Sequence, residues 1–218
     1  MNSSLLGVFT TGDNVISLLQ DKLQQVEETS GKLDRLGVAT FWKGRTKCLE
    51  NQGHLQVLST FDTPAHLAIA FLEQSHPDGV IETPCPQLYA NDELAVVYTG
   101  QLVNAIDIRR SLLRLGFHFE GHRDSEVVLR LINRYFEIGM PLHEAVKSSL
   151  LHLRGEFALI VLDAKHQELL VARQGYPLSI GVDQETLYIA SSTRILTALS
   201  YPLLHITEGE AIVLHSLC

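Results

Sequence analysis

Histidine and cysteine are the residue types most often used for nucleophilic and metal chemistry, and this chain has ten histidines and three cysteines. His118 and His122 are four residues apart, but a glycine between them interrupts the helix that would align their rings. The cysteines, Cys48, Cys85 and Cys218, lie far apart, and Cys85 has no base beside it in the sequence. We therefore predict no metal site and three reduced thiols, as in a cytoplasmic protein.

Asp124 and Ser125 lie where side chains could cap the beginning of a helix. Asp124 and Ser125 directly precede an apolar run with helical spacing, which includes Val127 and Leu131. Aspartate and serine side chains accept hydrogen bonds from the free N–H groups that begin a helix. The pattern therefore predicts that Asp124 or Ser125 caps a helix.

The balance of charged residues restricts the partners of this protein. The chain has 25 acidic and 17 basic residues, a net charge of -8. Such a field repels a phosphate backbone, so we predict neither nucleic acid nor an anionic membrane as a partner. The apolar stretches are shorter than the roughly 20 residues of a transmembrane helix, and residues 1–4 lack the basic charge of a signal peptide. We predict a cytoplasmic location and a single domain over residues 1–218.

Hydrophobic periodicity predicts strands towards both ends of the chain and helices between them. The predicted strands are Leu5–Phe9, Leu36–Trp42, His54–Ser59, Leu67–Leu72, Leu94–Tyr98, Phe157–Leu162, Leu169–Ala172, Leu178–Val182, Thr186–Ala190 and Glu210–Leu214. The predicted helices include Val15–Val26, Ile106–Leu115, Val127–Phe136 and Leu142–Leu153. Asp13 or Asn14 is predicted to cap the first of these helices. Residues 75–91, rich in proline, are predicted to be irregular. This order favours stacked sheets with helices outside, an α+β fold.

Seven short motifs follow one another between Glu93 and the end of the chain. They are Leu94-Ala95-Val96-Val97-Tyr98-Thr99-Gly100, Leu102-Val103-Asn104 with the helix that carries Arg109-Arg110, Arg123-Asp124-Ser125-Glu126-Val127, Leu153-Arg154-Gly155-Glu156-Phe157-Ala158-Leu159, Ala172-Arg173-Gln174-Gly175-Tyr176-Pro177-Leu178-Ser179-Ile180-Gly181, Ala190-Ser191-Ser192 and Thr207-Glu208-Gly209-Glu210. In this order and spacing they resemble class II glutamine amidotransferases, above all the glutaminase domain of glucosamine-6-phosphate synthase and also amidophosphoribosyltransferase. The first 90 residues resemble the family only loosely.

The resemblance implies a four-layer αββα sandwich of the N-terminal-nucleophile hydrolase type, with no cofactor. In this family an N-terminal cysteine attacks the side-chain amide of glutamine, and its own α-amino group acts as the base. The ammonia released passes to a synthase domain. The reaction needs an activated nucleophile, donors for the oxyanion and a cation for the substrate carboxylate.

The nucleophile position of the family carries a serine in this chain. Alignment on Gly7 places Ser3 there, and Met1 and Asn2 precede it, so we expect Ser3 to lack a free α-amino group. A neutral serine without a base is a weak nucleophile. We therefore expect Ser3 to be inactive, and the alternative is a plain polar lead-in to the first strand.

The oxyanion position is also altered. The family motif His-Asn-Gly corresponds to Tyr98-Thr99-Gly100, so Thr99 replaces the asparagine donor, whereas Gly100 can keep its backbone donor. Loss of one such donor costs on the order of a hundred- to a thousandfold in rate. The structural alternative for Thr99 and Gly100 is a turn that ends a strand.

The substrate-binding residues of the family are only partly present. Glu73 lies in the stretch where the family has the arginine that holds the glutamine carboxylate, and no Arg or Lys occurs between Lys47 and Arg109. A carboxylate would be repelled by Glu73. Asp124 matches the family aspartate that takes the substrate α-amino group, a role compatible with capping.

These departures predict a catalytically decayed glutamine amidotransferase-like domain. We expect a binding or regulatory module whose partner is a small metabolite, an amino acid or a protein such as a synthase subunit. The sequence is compatible with an oligomer as well as with a monomer. The alternative is an active glutaminase subunit or fragment of a glucosamine-6-phosphate synthase-like amidotransferase, with Ser3 exposed by processing. A third hypothesis is an unrelated hydrolase, because the fold alone does not choose among activities.

Overall fold

The computed structural model describes residues 3–12, 14–61, 63–74 and 85–214. The strands in these residues are β1 (Ser3–Thr10), β2 (Arg35–Trp42), β3 (Arg45–Asn51), β4 (Leu67–Glu73), β5 (Gln87–Ala90), β6 (Leu94–Leu102), β7 (Gly155–Asp163), β8 (Glu168–Gln174), β9 (Ser179–Asp183), β10 (Thr186–Ala190), β11 (Tyr201–His205) and β12 (Ala211–Leu214). The helices are α1 (Val15–Ser30), α2 (Ala105–Arg114), α3 (Asp124–Glu137), α4 (Leu142–Leu150) and α5 (Thr193–Leu199), with a 3-10 helix over Leu55–Thr60.

The strands form two antiparallel sheets. The first has seven strands in the order β11-β9-β10-β1-β4-β2-β3, and the second has five in the order β12-β8-β7-β6-β5. β1 lies inside the first sheet, between β10 and β4. Its Leu5 and Leu6 point to opposite faces and are both fully buried, because both faces of the sheet are covered.

Helices cover the outer face of each sheet. α1 and α5 pack on the first sheet, whereas α3 packs on β5 and β6 and α4 contacts β12 of the second. One cluster of buried apolar residues fills the space between the sheets and under α1 and α5, and another lies between the second sheet and α2 to α4. The predicted α+β fold with four αββα layers is confirmed.

The alternation of side chains along β6 shows which residues face which layer. Ala95 and Val97 belong to the cluster between the sheets, whereas Val96 and Tyr98 belong to the cluster under the helices. Thr99 therefore faces the first sheet, since successive strand residues point to opposite faces.

The predicted beginning of α1 is confirmed at Asn14. Its side-chain Oδ1 accepts a hydrogen bond of 3.1 Å from the Ser17 backbone N–H, so one free donor of the first turn is satisfied. Asp13, the other candidate cap, lies outside the described residues. Gly31 follows the helix with a φ of 95°, a conformation that glycine adopts without steric cost.

The predicted strand over His54–Ser59 is wrong. These residues lie mostly in the 3-10 helix, where Leu55 and Leu58 are buried and the residues between them are more exposed. Apolar residues three positions apart share a face of such a helix, whereas a strand would bury alternate residues. An apolar run as short as this one does not distinguish a strand from a helix.

Other element boundaries also differ from the prediction. β6 continues four residues beyond the predicted end at Tyr98. β3, α5 and β11 are elements that were not predicted from the sequence, and β3 is an edge strand whose residues are largely exposed. Within the segment predicted to be irregular, residues 75–84 lie outside the described residues and β5 is a regular strand.

Candidate functional site

Three polar residues on adjacent strands form a row at one end of the first sheet. Ser3 on β1 is the register partner of Glu73 on β4, and Glu73 is the register partner of Arg35 on β2. Residues at one register position of antiparallel strands point to the same face. A side chain at Gly7 of β1 would meet Ile160 of β7, so Ser3 and its row face the second sheet.

Glu73 is held by an ion pair with Arg35. The distance from Arg35 Nη1 to Glu73 Oε2 is 2.7 Å, and the Glu73 side chain is 11% exposed against 41% for Arg35. The Arg35 guanidinium also lies 5.3 Å from the centre of the Phe71 ring. The charge of Glu73 is therefore balanced inside the protein by a cation stacked on an aromatic face.

Arg35 belongs to this site although no sequence motif points to it. No cation occurs between Lys47 and Arg109, and the cation next to Glu73 comes from an earlier strand. Only the pairing of β2 with β4 makes Arg35 a neighbour of Glu73. The expected repulsion of a substrate carboxylate by Glu73 stays a prediction, and the charge of Glu73 is paired with that of Arg35.

Cys85 adjoins the same carboxylate. Burial raises the pKa of the Cys85 thiol, and the negative charge of Glu73 and a hydrogen bond with Glu73 raise it further, whereas Arg35 lowers it. A thiol with a raised pKa carries less of the thiolate that acts as a nucleophile. The reduced state predicted for Cys85 stays a prediction.

Ser4, next to the nucleophile position, has a structural role. Its hydroxyl donates to the Leu5 carbonyl, lies 3.2 Å from the Ser191 hydroxyl and accepts a bond of 3.1 Å from the Ser192 backbone N–H. Ser191 in turn accepts a bond of 2.9 Å from the Leu5 N–H. These bonds join β1 to the loop before α5. The hydroxyl of Ser3 has no hydrogen-bonded base among the described residues.

Gly100 occupies a conformation and a space that exclude other residues. Its φ is 119°, and an added Cβ would lie 2.2 Å from the Glu156 carbonyl oxygen and 2.5 Å from Phe157 Cα. Gly100 is also the register partner of Phe157 inside the β6–β7 pair. Thr99 and Gly100 therefore do not end the strand, and that alternative is wrong. Thr99, on the face towards the first sheet, is 3% exposed.

The cap of α3 comes from a residue that the sequence analysis did not consider. Gln87 Oε1 on β5 accepts a hydrogen bond of 3.1 Å from the Ser125 backbone N–H, the second of the helix. Asp124 is the first helical residue, and its carboxylate instead accepts a hydrogen bond from the Leu102 N–H. The prediction that Asp124 or Ser125 caps this helix is therefore wrong.

Asp124 is partly buried, and its surroundings shift the pKa of its carboxyl group in opposite directions. Burial raises the pKa of its carboxyl group, and the hydrogen bond from Leu102 and the charge of Arg109 act in the opposite direction. Burial raises the pKa of the Tyr98 hydroxyl, and the negative charge of Asp124 raises it further. The Tyr98 hydroxyl is buried without a hydrogen-bond partner in the described part of the chain. A buried hydroxyl of β6 is therefore unpaired within the described residues.

The described residues contain no group of three or more His, Cys, Asp or Glu side chains placed to hold a metal ion. His118 and His122 lie in the segment between α2 and α3 and share no helix face.

None of the helices in the described ranges is long and apolar enough to cross a membrane.

Comparison with known sequences identifies related proteins. A family model described as a glutamine amidotransferase domain matches residues 81–198. The glutamine--fructose-6-phosphate aminotransferase of Neisseria meningitidis is 27% identical over 97% of this chain and 35% of its own length. The enzyme of that name from Brucella abortus is 31% identical over 93% of this chain and 34% of its own. The chain thus spans about a third of the length of these curated relatives.

Comparison with solved structures shows the same fold. The glutamine phosphoribosylpyrophosphate amidotransferase of B. subtilis, solved with ADP and GMP, is similar with a TM-score of 0.73 and 21% identity, over 96% of this chain and 46% of that one. A glutamine aminotransferase class-II domain protein from Silicibacter pomeroyi has a TM-score of 0.63 and 13% identity, over 96% and 94% of the two chains.

Proposed function

This chain belongs to the class II glutamine amidotransferase domain family, and we propose that it is a member that does not hydrolyse glutamine and acts as a binding or regulatory module. The observation that carries the proposal is the ion pair of Glu73 with Arg35 beside Ser3. In the family, the corresponding stretch supplies the arginine that holds the substrate carboxylate. Here a carboxylate of the protein is present in that stretch, and the neighbouring cation is already engaged with it.

The ion pair opposes glutamine binding directly. A glutamine carboxylate near Ser3 would have to displace the Glu73 carboxylate from Arg35, and the displaced Glu73 would remain buried without its partner. Removing one partner of such a pair is costly because the other charge is left uncompensated. A substrate carboxylate gains no net charge-assisted bond from this exchange.

The nucleophile and the oxyanion position support the same proposal. Ser3 has no hydrogen-bonded base among the described residues, so its hydroxyl stays neutral. Thr99 takes the place of the asparagine donor that the family uses. These defects affect different steps, namely binding, attack and stabilisation of the oxyanion, so a single compensating change would not restore turnover.

The partner in this proposal is a small metabolite or amino acid, or another protein. This chain spans about a third of the length of its curated relatives. A synthase subunit that such a domain binds or regulates is the protein partner that we propose. The cytoplasmic location and the single domain over residues 1–218 stay predictions.

The proposal is tested by measuring ammonia and glutamate release from saturating glutamine. We expect no turnover by the unmodified protein, by Ser3→Ala or by Ser59→Ala, an exposed serine in the 3-10 helix that serves as the matched control. Turnover that Ser3→Ala abolishes and Ser59→Ala retains would refute the proposal. It would favour the alternative of an active glutaminase subunit or fragment.

A pair of double variants tests the role of the ion pair itself. Arg35→Met with Glu73→Arg places a free cation in the stretch where the family has its arginine. We expect this variant to bind glutamine about ten- to a hundredfold more tightly than the unmodified protein, by calorimetric titration, through one charge-assisted hydrogen bond. Arg35→Met with Glu73→Met removes both charges and adds no cation. Equal glutamine affinity in the two double variants would contradict the assigned role of this position.

A further inference from the structure

A cleft of about 350 Å³ opens on the helical side of the second sheet, away from the row of Ser3, Glu73 and Arg35. Its walls come from α2, from the last turn of α3 and from the segment between α4 and β7. Arg134 of α3 and Arg154 of that segment both line the cleft. The volume is at the lower end of the range for sites that bind small molecules.

The two arginines have no ion pair in the described part of the chain. Arg134 lies over the ring of Tyr135 at 5.4 Å, and no carboxylate there reaches either guanidinium. The one acidic residue that lines the cleft, Asp107, is largely exposed and lies 3.9 Å from Arg110. Two guanidinium groups without an ion pair line the same cleft, and they favour an anionic ligand.

The segment that carries Arg154 is fixed to the start of α2. The side chain of Asn104 donates from Nδ2 to the His152 carbonyl at 2.8 Å and accepts at Oδ1 from the Arg154 N–H at 3.0 Å. The Val103 N–H also donates to the Arg154 carbonyl at 2.8 Å. Because its N–H and its carbonyl are both hydrogen-bonded, the backbone of Arg154 is fixed at the edge of the cleft before any ligand binds.

The floor of the cleft is apolar. Ile108, Leu112 and Leu131 line it and are almost fully buried. At the rim, the His152 ring stacks on Tyr135 with an interplanar angle of 14°. The cleft therefore combines apolar contact surface with two planar guanidinium groups, which pair with phosphate through two parallel hydrogen bonds.

We propose that this cleft binds a small organic phosphate monoester, with the phosphoryl group on Arg134 and Arg154 and the organic part against the apolar side chains that line the cleft, above all Leu151. The phosphoryl group carries the charge and the acceptor oxygens that two guanidinium groups bind best. The organic part distinguishes the ligand from inorganic phosphate, because only an organic group covers Leu151, a largely exposed leucine that also lines the cleft. This site is separate from the glutaminase-like site and does not depend on the function proposed for it.

The proposal is tested with phenyl phosphate and inorganic phosphate as probes, by calorimetric titration of the full chain. We expect saturable binding of phenyl phosphate with a Kd of about 1 mM or tighter, and weaker binding of inorganic phosphate. Arg134→Met and Arg154→Met should each weaken phenyl phosphate binding about ten- to a hundredfold. Arg114→Met, on α2 but outside the cleft, is the matched control and should bind as the unmodified protein does.

A further variant separates a binding role of Arg134 from a helix-stabilising role. Arg134 lies in the last turn of α3, where any cation stabilises the helix end. Arg134→Lys keeps that charge but lacks the planar fork, so we expect nearly unchanged stability and weaker phosphate binding. Full affinity in Arg134→Met and Arg154→Met, or no saturation at about 10 mM phenyl phosphate, would overturn the proposal. Equal affinity for inorganic phosphate would overturn the organic part of the assignment.

Discussion

The side chain of Gln87 and the backbone of Ser125 join the second sheet to the helix above it. Gln87 Oε1 on β5 accepts the Ser125 N–H of α3 at 3.1 Å, although the residues are 38 positions apart in the chain. Gln87 is also the register partner of Tyr98 on β6. A helix that begins without a side-chain cap from its own flanking residue is thus capped by a neighbouring strand.

The first prediction concerns this cap. Gln87→Ala should lower the free energy of unfolding by about 0.5–2 kcal/mol, because the Ser125 N–H loses its acceptor. Gln87→Glu keeps an acceptor oxygen and adds a negative charge at the helix start, so it should retain most of the stability. Urea denaturation of the three proteins measures both effects. Equal losses in the two variants would show that the stability depends on the amide group of Gln87 itself, and not on an acceptor oxygen for the Ser125 N–H.

A second prediction follows from the environment of Asp124. Burial raises the pKa of this carboxyl group above its ordinary value of 3.8, so ionisation is disfavoured in the folded protein. The unfolded chain then loses its proton at lower pH than the folded chain, and the contribution of Asp124 to stability falls as pH rises above 3.8. Asp124→Asn removes this contribution and keeps an oxygen for the Leu102 N–H.

The stability of Asp124→Asn relative to the unmodified protein should therefore increase between about pH 4 and about pH 7. Urea denaturation at several pH values in this interval measures the difference. Asp92→Asn, at an exposed carboxylate, controls for the general effect of removing a negative charge. A relative stability that decreases with pH would mean that the ionised carboxylate stabilises the fold.

The third prediction concerns the ion pair of Arg35 and Glu73. Arg35→Met should destabilise the protein by about 1–3 kcal/mol, because the largely buried Glu73 loses its partner. Glu73→Gln should cost less, since the more exposed Arg35 remains partly solvated. The double variant should cost less than the sum of the two, and this coupling is read from a double-mutant cycle. Additive losses would show that the two side chains do not interact in solution.

The fourth prediction separates the two reasons why Gly100 must be glycine, which are its positive φ and its close packing against β7. Gly100→Ala must adopt an unfavourable φ and also place a methyl group 2.2 Å from the Glu156 carbonyl oxygen. Gly116→Ala has a φ of 90° but no atom within 4 Å of the added carbon, so it experiences the backbone strain alone. We expect about 1 kcal/mol for Gly116→Ala and about 1–3 kcal/mol more for Gly100→Ala. Similar thermal unfolding of both variants would contradict the close packing of β6 on β7.

The sequence by itself determined the layers and most of the elements. Strands such as β4 and β7 are long apolar runs because helices and a second sheet cover both their faces, and this pattern is legible without a structure. The motifs from Glu93 onwards also identified the family, since their order is a property of the chain. Asn14 was predicted as a cap because a cap acts on its own helix and needs no distant contact.

Tertiary structure decided the contacts between residues that are far apart in the chain. Arg35 became the partner of Glu73 only through the pairing of β2 with β4, and Gln87 became the cap of α3 only because β5 lies beneath it. Sequence periodicity reports which face of an element is buried, but it carries no information about which strands are neighbours or in which register they pair. The Arg35–Glu73 pair that defines the candidate site therefore followed from the fold, whereas the residues at its catalytic positions were visible in the sequence.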